Sequence, residues 1–247
     1  MTDTTTYRSA TPQPALPVFP GRWATGISML VAPIVLAVMC LLASGIYKYF
    51  GRPFLSAMAA QPVITEIFLN VVPLAIFLLM LAAVGLAGAT RGTAPRLSDL
   101  GGGAALLGLC GPIFFVAIEF SGFQLSSPKY LAAGAYMYDQ ANMVPRISLN
   151  ISGPAIILAF ILLAVAARKA GLMGRFRAVC LAATGLLPFG FIGAFLPISA
   201  LGFVGCAIAL APLGLRWLRA GSPSPAPDPA VAGAATLGTL PGKITNG

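Results

Sequence analysis

Apolar residues in this chain neither alternate nor form a single helical stripe. They come in long blocks that are hydrophobic all round, the pattern of a helix surrounded by an apolar medium. Blocks nearly free of charge cover about 23–47, 67–88, 100–120 and 147–167, and a last one covers 178–215. Crossing a hydrocarbon core of about 30 Å takes about 20 helical residues, so each of the first four blocks predicts one span. The last block holds 38 residues without a charge. As one helix it would be about 57 Å long at 1.5 Å per residue, nearly twice the core. It must therefore fold back, and Leu196-Pro197-Ile198-Ser199 near its middle is the expected turn.

The fold class that follows is an all-α integral membrane protein: one domain over 22–219 with six transmembrane helices, at about 23–47, 67–88, 100–120, 147–167, 178–196 and 198–215. Residues 1–21 are Thr/Pro-rich, and 220–247 are rich in Pro, Ala, Ser and Gly (SPSPAPDP), so both read as disordered tails. The first block is too long for a signal-peptide core and follows a polar tail, which argues against cleavage at the small-residue site Ala43-Ser44-Gly45. Of the connections, 48–66 is polar. The other long one, 121–146, contains YLAAGAYMYDQANM, expected as a short surface helix with Tyr130, Tyr136 and Tyr138 in the headgroup zone.

Composition agrees with the pattern. Hydrophobic residues make up 58% of the chain and charged residues 9%, against about 25% charged in a soluble domain. The formal charge of +9 would point to nucleic acid in a soluble protein; here the basic residues lie between apolar blocks, so nucleic acid is not expected. With the N-terminus inside, the inner segments carry Arg8 and Arg22, Arg91 and Arg96, Arg168, Lys169, Arg175 and Arg177, and Arg216 and Arg219. The outer loops carry only Lys48, Arg52, Lys129 and Arg146. Ten against four predicts cytoplasmic termini in a bacterial-type plasma membrane, with Trp23 and Trp217 at the inner interface.

Each predicted span contains a proline (Pro33, Pro73, Pro112, Pro154, Pro188, Pro212), which tends to kink a helix and free a carbonyl. Small residues four apart, such as Ala104/Gly108 and Gly205/Ala209, predict close, Gly/Ala-rich helix packing inside the monomer. The same pattern would suit a homodimer seam. Segments 31–43 and 152–164 align on Pro33 and Pro154 as an inverted repeat would, but the other matches are Leu and Ala in Leu/Ala-rich sequence, so no repeat is read.

Polar residues inside the blocks are few, and Glu119 is the one carboxylate among them. The plain expectation is that Glu119, about twenty residues into helix three, reaches the outer headgroups. The sharper one is an outward-facing binding vestibule that gathers Glu119, Asn70, Asn150, Glu66 and Arg146. The chain has no histidine, which excludes His-based catalytic pairs and His-ligated haem. It has no phosphate-binding G-x-x-x-x-G-K loop, and its four cysteines fall in apolar segments without metal-ligand spacing. No catalytic residue, metal site or cofactor is expected. The function expected is that of a non-enzymatic accessory or regulatory membrane component, with the lipid bilayer and a membrane protein as partners. A small-solute permease or exporter with a vestibule near Glu119 is the alternative, and an enzyme acting on lipid or isoprenoid substrates a second.

Overall fold

The structure, a computed structural model, describes residues 20–48, 52–141, 143–186 and 196–220, with backbone only over 137–149. The predicted tails lie almost wholly outside the described residues, as do Pro188, 187–195 of the predicted fifth span, and the side chains of Tyr138 and Arg146. The chain is helical throughout these segments: α1 (Arg22–Leu42, continued by a 3₁₀ turn, Ala43–Gly45), α2 (Arg52–Ala60), α3 (Pro62–Thr90), α4 (Pro95–Gln124), α5 (Leu131–Ala141), α6 (Met143–Lys169), α7 (Arg175–Ala183, continued by a 3₁₀ turn, Thr184–Leu186) and α8 (Leu196–Arg219). Five stretches, Arg22–Gly45, Pro62–Thr90, Pro95–Gln124, Asn150–Lys169 and Leu196–Arg219, are long and apolar enough to cross a membrane.

Local signals explain the boundaries. α3 and α4 each begin on a proline, Pro62 and Pro95, at a position where no helical N–H is lost. α6 ends on Gly171, whose φ of +68° suits the left-handed cap residue. The Leu172 N–H donates to the Ala167 carbonyl and the Gly171 N–H to that of Arg168, the paired bonds of a Schellman cap. The expected turn at 196–199 is instead the first turn of α8. Pro197 is its second residue, and a proline there costs no intrahelical bond. Residues 52–60, read as polar loop, form α2, which buries Phe54, Leu55 and Met58 on one face.

The long helices pack in an order that closes on itself: α1 on α3, α3 on α4, α4 on α6, α6 on α7, α7 on α8, and α8 back on α1. Paired positions show that these neighbours run antiparallel. Arg22 donates to the Ala220 carbonyl, and Gly26 meets Gly214. Gly101 meets Leu163, and Gly108 meets Ile156. Along α7 and α8, Arg177 reaches Ala209, Cys180 meets Gly205, and the Thr184 hydroxyl donates to the Gly202 carbonyl. Backbones come close at several of these points. A Cβ on Gly214 would sit 2.7 Å from the Gly26 carbonyl oxygen, and one on Gly108 would sit 2.8 Å from the Ile156 nitrogen. Only glycine fits at such a crossing.

The interior holds Met29, Leu36, Leu79, Phe160 and Leu163, all at or below 2% exposure. The outer face is as apolar as the core: Leu74, Phe77, Phe114 and Leu201 are each more than half exposed. Such a belt needs lipid or another apolar surface around it. Of the two tryptophans expected at the inner interface, Trp23 is 57% exposed while Trp217 is buried. Trp217 turns inward because it shares a helical face with Leu210, Leu213 and Gly214.

Candidate functional site

The polar residues of the interior are mostly hydroxyls that serve helix packing. The Thr90 and Ser98 hydroxyls lie 2.7 Å apart across the α3–α4 turn, one donating to the other, and each also has a backbone carbonyl within reach, Leu86 at 3.0 Å from Thr90 and Ala94 at 2.8 Å from Ser98. Glu119 differs in kind. It lies one turn inside the end of α4 and is completely buried. The expectation that it reaches the headgroups therefore fails, because α4 continues to Gln124 and the short helices α2 and α5, which touch each other, pack over this end of the bundle.

One carboxylate oxygen, Oε2, accepts a hydrogen bond from Tyr47 Oη, just past the end of α1. The Tyr47 ring is held by two tilted aromatic contacts, with Phe54 of α2 at 5.2 Å and with Phe68 of α3 at 5.1 Å. This one tyrosine thus ties α1, α2, α3 and α4 together beneath the α2–α5 cap. The other oxygen, Oε1, has no hydrogen-bond partner among the described residues. Beside the Glu119 side chain is a small cavity of about 20 Å³ with an apolar lining, walled by Tyr47, Phe68 and Phe115, and by the aliphatic Val72, Ile76 and Val116. That is room for about one water-sized particle.

Of the vestibule residues, Asn70, Glu66 and Asn150 are not among those lining the cavity beside Glu119. Asn70 is exposed and its amide donates to the Glu66 carbonyl of its own helix at 2.8 Å. Glu66 and Asn150 are exposed as well, and the side chain of Arg146 lies outside the described residues. Tyr47, which does meet Glu119, was not singled out in the sequence. Standing beside Lys48 at a span end, it has the look of a headgroup anchor, and only the return of α4 reveals the pairing. No cluster of three or more His, Cys, Asp or Glu side chains occurs among the described residues.

A wider concavity lies at the opposite end, between the end of α3 and the start of α4. It has a volume of about 420 Å³ and is lined by Gly88, Gly102 and Leu106, with Arg91, Ser98 and Asp99 at its polar part. Arg91 Nε and Asp99 Oδ1 pair at 3.1 Å with both side chains largely exposed. Comparison with protein-family models, with curated proteins and with solved structures gave no match to this chain.

Proposed function

We propose that this chain is a six-span, non-enzymatic component of a membrane assembly, which docks on and regulates another membrane protein through its outer surface. The observation that carries this reading is the outward groove of about 420 Å³ between α3 and α4, with Gly88 and Gly102 in its lining and an otherwise apolar belt around the bundle. Small residues in such a position let a partner helix approach closely in lipid. Six crossings are supported by parity. The Arg22–Ala220 contact brings the start of α1 and the end of α8 together, which requires an even number of passes. Five helices qualify by length among the described residues, and α7 runs antiparallel to both of its neighbours, which supports reading it as the start of one more pass, the fifth in chain order. The ten-to-four basic bias supports reading this end, with both termini, as cytoplasmic in a bacterial-type plasma membrane.

The test is a photo-crosslinking amino acid at Leu106, in the groove, or at Leu74, outside it, in intact cells. A discrete protein adduct from Leu106 and none from Leu74 is expected. Lipid adducts alone at both positions would overturn the assembly reading.

A second reading, a small-solute permease, is favoured by one observation: the buried Glu119 is among the residues around a cavity that also touches Pro112, in the middle of α4. Broken helices and intramembrane carboxyls mark transport paths. Val116→Cys, on a background without the native cysteines, should react with a small water-soluble thiol reagent if solutes reach this cavity. Complete protection would remove the permease reading.

A further inference from the structure

We propose that the corner of the bundle where α6, α7 and α8 meet holds the headgroup of a phospholipid with two phosphates. The inference stands apart from the assembly reading and holds for whichever leaflet meets this end. Three pairs of cations converge there. Arg168 and Lys169 end α6, Arg175 and Arg177 open α7, and Arg216 and Arg219 lie in the last turn of α8. The α6–α7 connection is the short capped turn through Gly171, so the first two pairs stand side by side. Arg177 meets Ala209 of α8, and Arg216 follows Ala209 by about two helical turns, on the face that α8 turns toward α7.

Charge is unevenly spread over this end of the molecule. At the α3–α4 corner Arg91 is paired with Asp99, and Asp99 is the one carboxylate at this end among the described residues. The six cations of the α6–α7–α8 corner make no ion pair among the described residues. An orientation signal needs positive charge on one side of the membrane, not its collection in one corner. Five of the six side chains are exposed, and Arg177 is half-buried. Its Nε and Nη2 both donate to the Ala209 carbonyl, which fixes the guanidinium in the seam between α7 and α8. Guanidinium groups pair bidentately with phosphate oxygens, and three pairs of cations around one turn match two phosphates better than one. Phe176 and Val179 follow Arg175 along α7, 71% and 67% exposed, and give acyl chains an apolar track beside the headgroup. Basic pockets between transmembrane helices take lipid headgroups in this way.

The experiment uses the full chain in a neutral detergent, with its unfolding midpoint followed against added lipid. Cardiolipin, which carries two phosphates, is compared with phosphatidylglycerol at equal total phosphate, with phosphatidylcholine and with inorganic phosphate. A ligand of the native state raises the midpoint with the logarithm of its concentration. Cardiolipin is expected to do so at lower concentration than phosphatidylglycerol, while phosphatidylcholine and inorganic phosphate leave the midpoint unchanged. Arg175→Gln with Arg216→Gln should weaken the cardiolipin response roughly tenfold or more. Arg91→Gln with Arg96→Gln removes the same charge from the α3–α4 corner and should leave the response intact. If the first double variant does not fold, Arg168→Gln with Lys169→Gln, at the exposed end of α6, is read in its place. No response to cardiolipin, an equal response to phosphatidylglycerol or inorganic phosphate, or the same weakening at both corners would each overturn the proposal.

Discussion

Tyr47 and Glu119 are 72 residues apart in the chain, and their meeting is the most consequential contact in the interior. Glu119 was legible in the sequence as the lone carboxylate of an apolar block. Its burial was not, because depth counted along one helix says nothing about what packs over that helix's end. The pair makes a prediction about stability. Tyr47→Phe keeps the ring and its contacts with Phe54 and Phe68 but removes the donor to Oε2, leaving the buried carboxyl without its observed partner. Stranding a buried polar group costs about 1–3 kcal/mol. Unfolding in mild detergent should show a loss of that size, and a variant as stable as wild type would mean that the hydrogen bond contributes nothing. Replacing both partners together, Tyr47→Phe with Glu119→Leu, should cost less than Tyr47→Phe alone, since no buried carboxyl then remains.

At the scale of elements, five of the six predicted spans fall on helices long and apolar enough to cross a membrane, most of them longer than the apolar block itself. The helices extend beyond the apolar runs to include residues such as Glu66 and Arg96, since polar side chains are tolerated where a helix leaves the hydrocarbon. The nine-residue α2 escaped because its apolar positions, Phe54, Leu55 and Met58, are too few to set up a period. Two arginines counted alike in the sequence do different things in the fold. Arg91 pairs with Asp99 in an exposed position, an interaction worth about 0–1 kcal/mol. Arg177 instead donates through Nε, at 3.1 Å, to the carbonyl of Ala209, three residues before Pro212. Pro212 offers no N–H to the Ile208 carbonyl and crowds the turn that also carries Ala209, where an added donor supports the backbone. Arg177→Ala should therefore cost about 1–3 kcal/mol, and Arg91→Ala less than about 1 kcal/mol. Chemical denaturation of both variants in the same detergent checks the order, and the reverse order would contradict these assignments.

Across the whole molecule, the sequence carried the number of passes and their direction only as charge bias and length. The structure adds a ring of antiparallel neighbours with the start of α1 beside the end of α8. Single cysteines on a cysteine-free background test the resulting topology. In intact cells an impermeant reagent should label position 129 and leave positions 92 and 171 untouched, and the opposite pattern would invert the bundle. The same ring has a temporal side. The contact that closes it joins residues 198 positions apart, and at 5–20 residues per second the ribosome needs roughly 10–40 s to deliver the second half of it. During that interval α1 waits in the bilayer with the small Gly26, which will meet α8, unpaired. On the same helix it carries the buried hydroxyls of Thr25 and Ser28, which have no hydrogen-bond partner among the described residues. Early synthesis is thus the stage at which this chain is most open to capture by a holdase or a membrane protease. Chains truncated before residue 196 should disappear quickly in a pulse-chase experiment, whereas the full-length chain persists once α8 has docked on α1.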